Sequence, residues 1–159
     1  MKYLLAFLLF VLFGFKSFSQ QKTLAKFVIL EFKNNGQDYT NWSLDRNQYL
    51  VFFVNENQKL CMANVCGNCK GNEQSYGNLH HLDTKSYEET NTTYKMDVFK
   101  YRWQYFNTYD DKTGSAIIEL TKIYKPQGVA FEMKMVVENL DISLYKGYME
   151  GSINFSDYD

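Results

Sequence analysis

Proline is nearly missing from this chain: Pro126 is the only one among 159 residues. That excludes proline-rich linkers and polyproline recognition segments. Charge excess is missing too. Seventeen Lys and Arg stand against 18 Asp and Glu, for a net charge of −1, and no block of like charges interrupts the chain. A basic patch or stripe is the footprint of nucleic-acid binding and of attraction to anionic membranes, so neither partner is expected. Histidine is limited to His80 and His81, in no H-x-x-x-H or H-E-x-x-H spacing, and no serine sits in G-x-S-x-G. Adjacent side chains on an extended backbone point to opposite faces, so these two histidines do not make one catalytic pair. Beyond Phe15 the longest apolar run is Tyr49 to Val54, well below the roughly 20 residues that a spanning helix needs.

What is present begins with an address. Met1-Lys2, an apolar run from Tyr3 to Phe15, and Lys16-Ser17-Phe18-Ser19 read as a signal peptide over residues 1–19, cleaved before Gln20. An uncleaved anchor is the competing reading, disfavoured because Gly14 and Lys16 interrupt the run. The expectation is export to the periplasm or the exterior, with no membrane span after cleavage. Losing Lys2 and Lys16 takes the net charge to about −3. Residues 20–159 suit a single domain with a real core.

The period of the mature region is two. Val129, Phe131, Met133, Met135 and Val137 alternate with a mostly polar set, the pattern of a strand buried on one face. Lys125-Pro126-Gln127-Gly128 has proline where a type I turn wants φ near −65° and glycine where such turns end, so it links strands over 115–124 and from 129. Asp110–Gly114 reads as a hairpin loop with Gly114 at positive φ, joining 93–107 to 115–124. Glu138–Asp141 reads as a tight connection into 142–150. Four consecutive antiparallel strands, a meander, follow for the second half. In the first half, strands are expected over 25–32, 48–55 and 59–65, with a short one over 42–45. Residues 67–77 read as loop or weak strand, and a polar helix is an option over 84–90. The fold class is therefore all-β: one antiparallel domain of about seven or eight strands, a barrel or a two-sheet sandwich. The barrel is favoured, because a strand as long as 93–107 has to bend.

Cys61, Cys66 and Cys69 are the only cysteines. In an exported chain the default is a disulfide. A Gly67-Asn68 turn sets Cys66 opposite Cys69, with Cα atoms near 5.5 Å apart, within disulfide range. The sharper reading joins Cys61, Cys66 and Cys69 with His80 or His81 around zinc. It is disfavoured, because Cys61 and Cys66 are an odd number apart on one strand and so face opposite ways. A redox role for Cys66-Gly67-Asn68-Cys69 lacks a helix start to lower a thiol pKa. No cofactor is expected. Glu88-Glu89 and Asp110-Asp111 are adjacent acids, and a glycosidase needs two carboxyls facing across a cleft; turn chemistry and solvation account for them more simply.

Phe99, Tyr101, Trp103 and Tyr105 share one face of a strand, with Lys100, Arg102 and Gln104 on the other. The favoured reading of this ladder is core, since aromatic residues suit strands and dominate cores. The alternative is that it lines a ligand site. Ile123–Phe131 and Tyr145–Gly151 resemble stretches of small, uncharacterised exported bacterial β-rich proteins, a likeness confined to the last third of the chain that implies no activity. The G-x-W signature of lipocalins is absent around Trp42, which leaves them an analogy of shape alone. The functional expectation is a non-catalytic exported binding module for a small apolar or sugar-like ligand or for a cell-envelope protein. The alternative is a small secreted hydrolase with its site around Glu88, His80 or the cysteines.

Overall fold

In the computed structural model, residues 22–69, 74–137 and 141–158 are described. Nine strands follow in order: β1 (Lys22–Asn34), β2 (Gln37–Asp38), β3 (Gln48–Val54), β4 (Leu60–Cys66), β5 (Gln74–Tyr87), β6 (Met96–Asn107), β7 (Lys112–Lys125), β8 (Gly128–Val137) and β9 (Ile142–Gly151). A short helix α1 (Thr40–Asp45) lies between β2 and β3, and a 3-10 turn (Phe155–Tyr158) follows β9. All pairings are antiparallel. The sheet runs β2-β1-β3-β4-β5-β6-β7-β8-β9, and β1 also pairs with β9, which closes eight strands into a barrel with β2 as an appendage. Strands β6 to β9 form the expected meander.

Closure requires curvature, and bulges supply part of it. The β1–β9 register shifts between Ile29 and Glu31, and the β5–β6 register shifts between His81 and Asp83. The skipped residues, Leu30 and Leu82, are 54% and 44% exposed. In β1 the shift is what allows Phe27, Ile29 and Phe32 all to be buried, although Ile29 and Phe32 are an odd number apart. Without it Phe32 would swing to the outer face.

An eight-stranded barrel either fills its interior with side chains or leaves room for one small ligand. Here one buried cluster fills it, running from Phe27, Leu50 and Phe52 through Leu79, Phe99, Tyr101 and Trp103 to Ile118, Leu120, Met133 and Tyr145. The chain's end contributes to it. Phe155 is 2% exposed, edge-on to Phe52 at 5.2 Å and 5.3 Å from the Phe99 ring, and Tyr101 Oη donates to its carbonyl at 3.4 Å. At the opposite end α1 forms a lid. Tyr39 and Trp42 pack on Phe32, which stacks on Tyr145 at 4.7 Å.

Several local expectations are corrected. Residues 42–45 belong to α1, where Asp38 Oδ1 accepts from the Thr40 amide and Thr40 Oγ1 accepts from the Phe32 amide, pinning the first turn to β1. Residues 84–87 continue β5 rather than forming a helix, because β6 pairs with them through Tyr87–Met96. The sixth strand starts at Met96, not Thr93. Gly114 lies inside β7, and Asp111 takes the positive φ of that turn. The Pro126-Gln127 turn forms as expected, closed by the Lys125–Gly128 pair. Of the Glu138–Asp141 connection, residues 138–140 lie outside the described residues, as does the 1–19 segment. No helix among the described residues is long and apolar enough to cross a membrane.

Candidate functional site: an outer groove

The barrel's outer face should be convex, and its outward side chains should be wet. Over most of the surface they are. Lys26 faces Glu150 at 3.7 Å, Lys100 faces Glu119 at 3.5 Å, and Lys146 bridges Glu31 and Glu132, all across neighbouring strands. The face of β3 to β7 departs from this pattern. Outward-facing Phe53, Cys61 and Ala63 are 9%, 3% and 8% exposed and form an apolar cluster separate from the interior.

Register explains the dent. One inward row runs Phe52–Met62–Gly77–Tyr105–Gly114 across five strands. Glycines flank Tyr105 on both sides, so this row carries no side chain at Gly77 or Gly114. A Cβ on Gly114 would lie 2.6 Å from the Tyr105 ring, and one on Gly77 would collide with the Gln104 carbonyl oxygen. The two outward rows on either side of that inward row therefore face one another. They run Phe53–Cys61–Asn78–Gln104–Ser115 and Val51–Ala63–Tyr76–Phe106–Thr113. Together they bound an open groove of about 1050 Å³, with Arg102 and Ile117 at its edge. An adjoining depression of about 470 Å³ shares Phe53 and Tyr76 with the groove and is lined also by Thr23, Val51, Ala63, Val65 and Gln74.

The lining mixes two chemistries. Tyr76 and Phe106 stand edge-to-face at 6.0 Å and offer aromatic surface. Amides occupy the adjacent row. Asn55 Nδ2 donates to Asn78 Oδ1 at 3.1 Å, the Cys61 thiol donates to the same oxygen at 3.2 Å, and His80 Nε2 bonds Gln104 Oε1 at 2.9 Å. Burial pushes the Cys61 thiol above its ordinary range, against hydrogen bonds from Asn55 that pull it down. A thiol held protonated is a poor nucleophile and a poor metal ligand.

The ladder residues separate. Phe99, Tyr101 and Trp103 are 4%, 1% and 2% exposed in the core. Trp103 Nε1 is buried without a hydrogen-bond partner among the described residues. Tyr105 is half-buried and packs against the same core, its ring 4.5 Å from that of Trp103, and it also borders the groove. Cys66 and Cys69 form a disulfide with Cα atoms 5.5 Å apart. It does not close a β-hairpin: Gly67 N and Asn68 N donate back to Asn47 and Arg46 carbonyls instead. The zinc tetrad of Cys61, Cys66, Cys69 and His80 is not brought together. Two of its thiols are joined to each other, and Cys61 and Cys66 sit on opposite faces of β4, which pairs with β3 without a register shift. No cluster of metal-ligating side chains occurs among the described residues. Glu88 is exposed and paired with Lys95 at 3.6 Å, away from His80's partner Gln104.

A second, smaller depression of about 320 Å³ lies at the lid end, beside the disulfide. There the Arg46 guanidinium sits 4.5 Å above the Trp42 ring and donates to Cys69 Sγ at 3.4 Å.

Sequence reasoning missed Asn55, Tyr76, Asn78 and Phe106 as groove residues and placed Arg102 and Gln104 only on the face opposite the aromatic ladder. The available signal was Gly77 and Gly114: once strands are paired, both fall beside Tyr105. No protein-family model, curated protein or solved structure matches this chain.

Proposed function

We propose that this protein is a non-catalytic, exported binding module that holds a small ligand in the outer groove rather than inside the barrel. The observation that carries this reading is the burial of outward-facing Phe53 and Cys61 on what would otherwise be a convex wall. The groove has the size and the mixed apolar and polar lining of small-molecule sites, which span about 300–1,000 Å³. Its described lining residues include no carboxylate, so the facing pair of carboxyls that a glycosidase needs is not among them. Export rests on the N-terminal segment of the sequence.

Ligand-observed saturation-transfer NMR on the purified protein tests the reading, with a panel of sugars, organic acids and apolar compounds. Gln104→Trp should fill the groove and abolish the response to any hit, whereas Trp42→Ala at the lid end should leave it intact. Hits that survive Gln104→Trp, or are lost with Trp42→Ala alone, would overturn it.

A further inference from the structure

We infer that the ligand of the outer groove is an organic carboxylate with an apolar face, an inference that rests on the groove being the binding site. Hydrogen-bond polarity propagates outward from the backbone. The amides of Asn57 and Lys59 both donate to Asn55 Oδ1, each at 3.0 Å. Backbone amides can only donate, so this end of Asn55 is the carbonyl and its other end is the NH₂. The atom of Asn78 that meets Asn55 Nδ2 at 3.1 Å must then be an acceptor, Oδ1, which the Cys61 thiol also engages. What Asn78 has left to offer the groove is its amide nitrogen, a donor. Where His80 carries its proton on Nε2, Gln104 Oε1 is likewise occupied, and Gln104 Nε2 is a second donor.

Arg102 adds donors only, and a full positive charge. It is exposed at the groove edge beside its cross-strand partners His80 and Ile117, and it makes no ion pair among the described residues. Its neighbour Lys100 differs, being paired with Glu119 at 3.5 Å. With Asn78 and Arg102 on diagonal positions of adjacent strands, a planar acceptor can bridge them. A carboxylate matches the guanidinium fork and balances its single charge. A phosphate dianion would call for a second cation, and Arg102 is the only charged residue among the described lining residues. Tyr76, Phe106 and Ile117 then cover the body of the ligand, which must present an apolar face. Two sources share this chemistry: a uronate-type sugar, whose C–H face stacks on aromatic rings, and an aromatic or short fatty acid.

Titrating isotope-labelled purified protein with trigalacturonate, its neutral methyl ester, 4-hydroxybenzoate and octanoate tests the inference by NMR. The expected result is that at least one acid shifts the Asn78 and Gln104 side-chain amides. Its affinity should fall with added salt and by about tenfold or more in Arg102→Gln, while Lys100→Gln leaves it unchanged. A response confined to trigalacturonate assigns the sugar source, and one confined to the simple acids assigns the other. If the ester binds as tightly as the acid, or Arg102→Gln binds as well as the parent, the carboxylate inference fails while groove binding stands. If no probe, charged or neutral, shifts a groove residue, both fail.

Discussion

Replacing Gly77 with alanine puts a methyl group where the barrel wall has no room for it. The new Cβ would lie 2.7 Å from Tyr105 Cα and would collide with the Gln104 carbonyl oxygen, both backbone atoms of the neighbouring strand. Contacts between carbon atoms settle at about 3.5–4.0 Å, so β5 and β6 must part by about 1 Å. Over-packing of this kind costs about 1–3 kcal/mol, and each ladder hydrogen bond stretched by the separation adds about 1 kcal/mol. Alanine recovers about 0.4–1 kcal/mol by restricting the unfolded chain. The net expectation is a loss of about 3 kcal/mol, or about 10 °C in Tm for a domain of this size. Thermal and urea unfolding followed by circular dichroism measures it. Gly36→Ala is the control, because its Cβ meets nothing within 4 Å and its cost comes only from a φ of +81°; it should lose about 1 kcal/mol. Gly114→Ala should fall between the two, since its Cβ meets the ring of Tyr105 and not backbone. A Gly77→Ala protein no less stable than Gly36→Ala would refute the claim that the β6 backbone leaves no room for a side chain at Gly77.

Three further outcomes follow from individual side chains. Burial raises the Asp97 carboxyl, but hydrogen bonds from Ser86 and Tyr124, with Lys122 and Lys95 nearby, more than offset it and hold the pKa below its usual value. Its contribution is therefore present at neutral pH and is lost as pH falls below about 4, so Asp97→Asn should flatten the acid limb of a stability-versus-pH curve there. A parallel acid limb in parent and variant would contradict this. The Cys61 thiol, 3% exposed and pushed up by burial, should resist alkylation in the native protein at pH 8 and react promptly in denaturant, as intact-mass spectrometry can follow; rapid native labelling would contradict its burial under the groove. Because the Cys66–Cys69 disulfide spans only three residues of sequence, Cys66→Ser with Cys69→Ser should cost no more than about 2 kcal/mol in urea unfolding. A larger loss would mean that the clip holds the α1–β3 connection in place as well.

The parts of the fold that could be read from the chain are those whose signal is local. The alternation from Val129 to Val137 and the Pro126-Gln127 turn each depend on neighbours a few residues apart, and β8 and its hairpin with β7 follow from them. Bulges at Leu30 and Leu82 leave no such mark, since either leucine fits an unbroken strand equally well. Gly114 shows a subtler limit. A glycine next to an aspartate pair reads as a turn residue, yet here it makes room for the Tyr105 ring, a reason that exists only once β6 and β7 are in register. The aromatic ladder was legible as one face of a strand, and three of its four residues went to the core. The groove was not legible, because Phe53, Cys61, Asn78, Gln104 and Ser115 come from five strands and meet only through four successive registers.

The central claim is that binding happens on the outside of a filled barrel. Chemical-shift mapping of the labelled, purified protein against its best ligand tests it most directly. The account predicts that the largest changes fall on Asn55, Tyr76, Asn78, Gln104 and Phe106, with Trp103 and Tyr101 nearly still. Changes centred on Tyr101 and Trp103, or on Trp42 and Arg46 at the lid end, would contradict it.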